Sequence, residues 1–150
     1  MPTTTICQGD ATTFAVLQSV AASDLPSGTP WQCATVGLAA QAASIGATTL
    51  WAVTVTGFYR ISMAIKRTQI ATTSSTLPSV TITWMDGDNS AAGSSAAIAT
   101  NATNTLVAAV ATQVVVYAKA GTNIQYSTAG YASVGATPLQ YALRLKCEAL

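Results

Sequence analysis

Histidine is missing from this 150-residue chain, and ions of either sign are scarce: six Lys and Arg and five Asp and Glu leave a formal charge of +1. Without imidazole there is no Ser-His-Asp or Cys-His nucleophile and no His-ligated metal. Six cations are too few to track a phosphate backbone, so nucleic acid is not expected as a partner. Five acids are a poor basis for glycan hydrolysis by paired carboxylates. The chain therefore reads as non-enzymatic, with no cofactor. Residues 25–59 and 89–118 carry no charge at all. Thr, Ser, Asn, Gln and Gly interrupt both stretches too often for a hydrocarbon core, so no membrane partner is expected. The opening Met1-Pro2-Thr3 is polar and begins no secretory leader, which reads as an unsecreted protein. Cys7, Cys33 and Cys147 lie too far apart for a zinc ribbon or a CxxC redox pair.

What fills the chain instead is small and neutral. It contains 29 Ala, 24 Thr and 13 Ser, and 50% of all residues are apolar, a composition opposite to that of a disordered chain. Soluble domains usually carry about 25% charged residues, against 7% here. A neutral, ion-poor surface promotes association, and a stable homo-oligomer is expected.

Period-two patterning is the main structural signal. Tyr59, Ile61, Met63 and Ile65 alternate with Arg60, Ser62, Ala64 and Lys66. Val80, Ile82 and Trp84 alternate with Ser79, Thr81 and Thr83, and Leu139, Tyr141, Leu143, Leu145 and Cys147 alternate with Gln140, Ala142, Arg144, Lys146 and Glu148. Half-buried strands of this kind predict an antiparallel sandwich rather than a parallel sheet. Shorter β-branched stretches at 50–55, 98–101, 105–111, 113–119 and 123–128 raise the count to about eight strands, as in a jelly roll.

Residues 1–45 behave differently. Residues 12–20 suit either strand or helix, and 23–31 (SDLPSGTPW) resemble a linker. The expected division is an N-terminal arm or outer strands over 1–45 and a jelly-roll β-sandwich over 46–150.

Candidate contact residues come from the late strands. The run Val114-Val115-Val116-Tyr117 places apolar groups on both faces, so its outer face needs a cover, and a second subunit is one. Tyrosine is enriched at interface cores. Val115, Tyr117, Tyr126, Tyr131 and Tyr141 are the expected subunit contacts, and Asp at Tyr117 or Tyr141 is expected to break the oligomer. The cations form two groups on outward strand positions, Arg60/Lys66/Arg67 and Arg144/Lys146, with Lys119 apart. Asp86 and Asp88 in Asp86-Gly87-Asp88-Asn89 suit a hairpin turn, with a weak cation site as the alternative; position 97 is Ala97, so an EF-hand loop fails.

From Ala39 onward, AAQAASIGATTLWAV, GFYRISMAIKRTQIATTSSTLPSVTITWMDGDN and AKAGTNIQYSTAGYASVGATPLQYALRLKCEAL resemble a module of tailed-bacteriophage virion proteins. Gly57-Phe58-Tyr59-Arg60-Ile61 is similar to the G-x-Y-x-φ strand of jelly rolls in the tumour-necrosis-factor and complement-head superfamily. The resemblance implies a homotrimer located in the virion and assembled in the host cytoplasm. It implies either a capsid decoration (cement) protein bound to the major capsid protein, or a fibre tip that binds a host-surface receptor or glycan. The chain starts with Met1 and shows no coiled-coil or collagen-like shaft, which favours the cement expectation.

Overall fold

The structure, a computed structural model, describes residues 29–106 and 108–150. Ten strands form the described secondary structure: β1 (Trp31–Gln41), β2 (Thr48–Ala52), β3 (Gly57–Gln69), β4 (Ser74–Thr76), β5 (Ser79–Met85), β6 (Ala92–Ile98), β7 (Val110–Ala118), β8 (Asn123–Ala129), β9 (Ala132–Val134) and β10 (Gln140–Ala149). One sheet runs in the order β1-β10-β3-β7 and a second in the order β2-β8-β5-β6, with β4 and β9 pairing separately. Every ladder is antiparallel. After β2 the main strands pass repeatedly from one sheet to the other, which gives the double-sheet jelly-roll architecture.

Alternation explains the core. Tyr59, Ile61, Met63 and Ile65 of β3 and Tyr141, Leu143, Leu145 and Cys147 of β10 are buried. They cluster with Leu50, Val80, Ile82, Ile98, Ile124 and Tyr126 from the second sheet. Two such faces stack about 10 Å apart, and Ile61, Ile82, Ile124 and Leu143 lose all solvent contact.

Residues 31–41 form the outer strand of the first sheet, paired along β10 from Trp31–Ala149 to Gln41–Tyr141. Of the arm or outer strands expected over 1–45, these residues are an outer strand, and residues 1–28 lie outside the described region. Other assignments differ from the pattern in the sequence. β6 occupies 92–98, so the strand expected at 98–101 keeps only Ile98; of the stretch expected at 105–111, residues 110 and 111 belong to β7 and residue 107 lies outside the described residues. Ala92-Gly93-Ser94-Ser95 has no β-branched residue to announce a strand. Gly93 instead makes room for its pairing partner, because a Cβ there would come within 2.3 Å of the Trp84 ring.

A chain of hydroxyls fastens the segment after β1 to both sheets. The Ile45 amide donates to Thr128 Oγ1 (2.7 Å), Thr128 Oγ1 lies 3.1 Å from Tyr141 Oη, and Tyr141 Oη donates to the Ala43 carbonyl (2.8 Å). Since the tyrosine proton goes to Ala43, Thr128 is the donor in the middle link. Replacing Tyr141 by Phe is expected to lower the unfolding free energy by about 1–3 kcal/mol, because the buried Thr128 hydroxyl loses the acceptor of its proton. Urea denaturation of the variant checks this value.

Candidate interaction face

Burial of the inward set fixes what β3, β7 and β10 show on the outer side of the first sheet. Phe58 pairs directly with Tyr117, and Val115 pairs with Arg60. Phe58 is 56% exposed and Val115 51% exposed. The Phe58 and Tyr117 rings pack with centroids 4.9 Å apart and planes tilted by 47°. Tyr117 is half-buried because its ring lies over the β5–β6 turn, where a Cβ on Gly87 would come within 2.5 Å of it. The result is an uncovered apolar cluster at one end of an otherwise polar face.

Ionic groups occupy the middle of the same face. Glu148 accepts from Arg60 Nη2 (2.7 Å) and Nε (2.9 Å), and its other oxygen lies 2.6 Å from Lys146 Nζ. The Lys146 and Arg60 hydrogen bonds hold its carboxyl below the usual carboxylate range. Arg144 has no such partner among the described residues; its Nη1 donates to the backbone carbonyls of Leu38 (2.7 Å) and Leu143 (3.3 Å). It lies across β1 at Gly37, where a Cβ would sit 3.4 Å from the guanidinium.

Of the five expected contact residues, Val115 and Tyr117 come together on this face. The other three do not. Tyr126 is 5% exposed and Tyr141 fully buried, both in the core of a single protomer. Tyr131 is half-buried; its hydroxyl donates to the Leu139 carbonyl (2.7 Å), and its ring lies 6.2 Å from that of Tyr141. Tyr126 and Tyr141 fall on inward strand positions, so their side chains are spent on the fold. An Asp at Tyr141 would unfold the protomer rather than separate subunits. Phe58, absent from the expected set, belongs to it; its place in the Arg60 phase of β3 was the available signal.

Arg67 also departs from expectation. It is 3% exposed and shares the inward phase of Ile65, so it does not join the outer basic group. Its Nη2 donates to the Asn101 carbonyl, while Nε and Nη1 find no partner among the described residues. Burial lowers its pKa. Asp86 forms a turn: its carboxylate accepts from the Asp88 amide (3.0 Å) and the Asn89 amide (3.2 Å). Among the described residues no group of three or more His, Cys, Asp or Glu could hold a metal ion.

Cys7 lies outside the described residues, and the two described thiols show no sign of reactivity. Cys33 and Cys147 are both free. Burial pushes the Cys147 thiol up to about 12 and raises that of Cys33 as well. A thiol of that kind stays protonated at neutral pH and is a poor nucleophile. Compared with models of known protein families and with curated proteins, the chain matches none.

Cys33, Cys147, Tyr59 and Tyr141 are all raised, each mainly by burial. In such a case the unfolded chain deprotonates first, so stability is complete below the unfolded pKa and falls as pH climbs toward the folded one. Thermal midpoints are expected to drop as pH rises from about 9 to about 12. A thiol reagent at pH 8 should leave Cys147 unlabelled until the protein is denatured.

Proposed function

We propose that the chain is a non-catalytic structural protein of a virus particle, a homotrimer that decorates the shell by binding the major capsid protein. The observation that carries this reading is the outward cluster of Phe58, Val115 and Tyr117 on a sheet face that no other strand among the described residues covers. Apolar burial contributes roughly 25 cal/mol per Å², and a surface this poor in ions offers little else for cohesion. The jelly-roll connectivity is consistent with the resemblance to the tumour-necrosis-factor-type module, whose members assemble as trimers.

The fibre-tip alternative draws on a different place. The outer face of β2-β8-β5-β6 holds a cleft of about 390 Å³ lined by Thr83, Ser94, Thr122, Asn123 and Gln125. Hydroxyls and amides without charge suit a glycan. Trp84, the aromatic at this cleft, packs against Gly93. The cleft therefore lacks the exposed ring that a sugar-stacking platform would use, and the cement reading is preferred.

Phe58→Asp and Tyr117→Asp are expected to yield folded monomers by light scattering, because each charge would be buried unpaired in the contact. An unchanged trimer mass in both variants would contradict the assignment. On particles carrying the protein, a shift from low to molar salt should leave it bound, since apolar contacts are hardly screened. Release by salt alone would contradict the cement reading, and labelling of host cells by the isolated protein would favour the fibre tip.

A further inference from the structure

Cys33 sits at an irregularity of the first sheet. β1 and β10 pair Gln32 with Glu148 and Ala34 with Cys147, so Cys33 is an extra residue on β1 that β10 does not match. A bulge of this kind sets two residues of one strand opposite one of its partner and re-aims a side chain. Cys33 and Ala34 both pack against the core cluster to which Cys147 belongs, so the bulge turns the Cys33 thiol inward, toward Cys147. Opposed residues of antiparallel strands have Cα atoms about 4.5–5.5 Å apart, inside the span of about 4.4–6.8 Å that a disulfide bridges. The two thiols are hydrogen-bonded neighbours, and Cys33 Sγ also lies 3.5 Å from the Trp31 carbonyl oxygen. Cys33 is half-buried, whereas Cys147 has no exposure. A reagent in solvent therefore meets the pair through Cys33.

We propose that Cys33 and Cys147 are a disulfide site, two thiols under reducing conditions and one covalent bridge after reaction with a small-molecule disulfide such as oxidised glutathione. The Cys33 thiolate attacks one sulfur of the oxidant; a protein–glutathione bond forms and one glutathione thiolate leaves. Cys147 then loses its proton and attacks Cys33 Sγ, displacing the second glutathione. Two protein thiols are oxidised, one glutathione disulfide is reduced, and the two protons leave with the two glutathione thiols.

Neither thiol is activated, so the fold contributes proximity rather than nucleophilicity, and the exchange is slow at neutral pH. The same lack of activation favours the bridge at equilibrium, because no stabilised thiolate holds the pair in its reduced form. The consequence is mechanical. β1 is the edge strand of its sheet and pairs there with β10 alone, through a ladder broken at residue 33. The bridge pins that strand at its irregular end and closes a loop running from residue 33 to residue 147, the kind of long loop for which a cross-link restricts the unfolded chain most. Both sulfurs lie on the inner side of one protomer, so the inference stands apart from the trimer reading.

Equilibration of the full chain with mixtures of reduced and oxidised glutathione at pH 8, followed by acid quenching and peptide mapping by mass spectrometry, tests the site. A linked Cys33–Cys147 peptide is expected from one chain, in the natural sequence and in Cys7→Ser alike. The equilibrium constant for bridging should be at least about tenfold larger in the folded protein than in concentrated urea, because the fold already holds the thiols together. Oxidation should raise the urea midpoint of Cys7→Ser and leave that of Cys7→Ser/Cys33→Ser where it was. A bridge from Cys7 in place of the Cys33–Cys147 bridge, glutathione on Cys33 with no bridge following, or equal constants in buffer and in urea would each overturn the proposal. None of these outcomes depends on the number of chains in the assembly.

Discussion

Alternate residues of a strand face opposite ways, and in this molecule one of those ways is filled by a dry contact between two sheets. Tyr59, Ile61, Met63 and Ile65 turn inward, which obliges Phe58, Arg60, Ser62, Ala64 and Lys66 to turn outward. The same constraint on β10 sends Arg144, Lys146 and Glu148 out as Tyr141, Leu143, Leu145 and Cys147 go in. The exterior of this sheet is therefore a consequence of its core. A one-residue slip would exchange the two sets and put two ions into the sandwich from β3, or three from β10.

Ion scarcity gives that exterior its character. Among the described residues a single carboxylate, Glu148, serves two cations there, and the space beside them is lined largely by small residues such as Gly37, Ser62, Ala64 and Ala111. Small side chains leave a broad shallow groove, while Phe58, Val115 and Tyr117 leave an apolar edge beside it. Neither feature is needed for the protomer's own packing, and both suit contact with protein more than chemistry on a small molecule. The thiols point the same way: Cys147 sits at zero exposure and acts as a small apolar side chain.

Much of the fold was legible because its central strands are long and strictly alternating. β3, β5 and β10 were found within about two residues of their ends, as the inward and outward sets differ so sharply in polarity. β6 was hidden because Ala, Gly and Ser carry no strand preference; only the fit of Gly93 beneath Trp84 reveals why it pairs. β1 was hidden by its alanines and by bulges near Cys33 and Ala40 that break the period. The exposed apolar cluster was half legible. Val115 and Tyr117 emerged from a run that alternation could not accommodate. Residue type alone misassigned Tyr126 and Tyr141, since tyrosine serves a core as readily as an interface. Arg67 went the same way: its charge suggested the surface, yet its phase put it inside.

The account rests on the claim that the outer face of the β1-β10-β3-β7 sheet is covered by further copies of the same chain. Sedimentation equilibrium of the purified protein at micromolar concentration tests this most directly. A single species of three times the 15.2 kDa chain mass is the result the account requires. A lone species of one chain mass, stable over a tenfold dilution series, would contradict it.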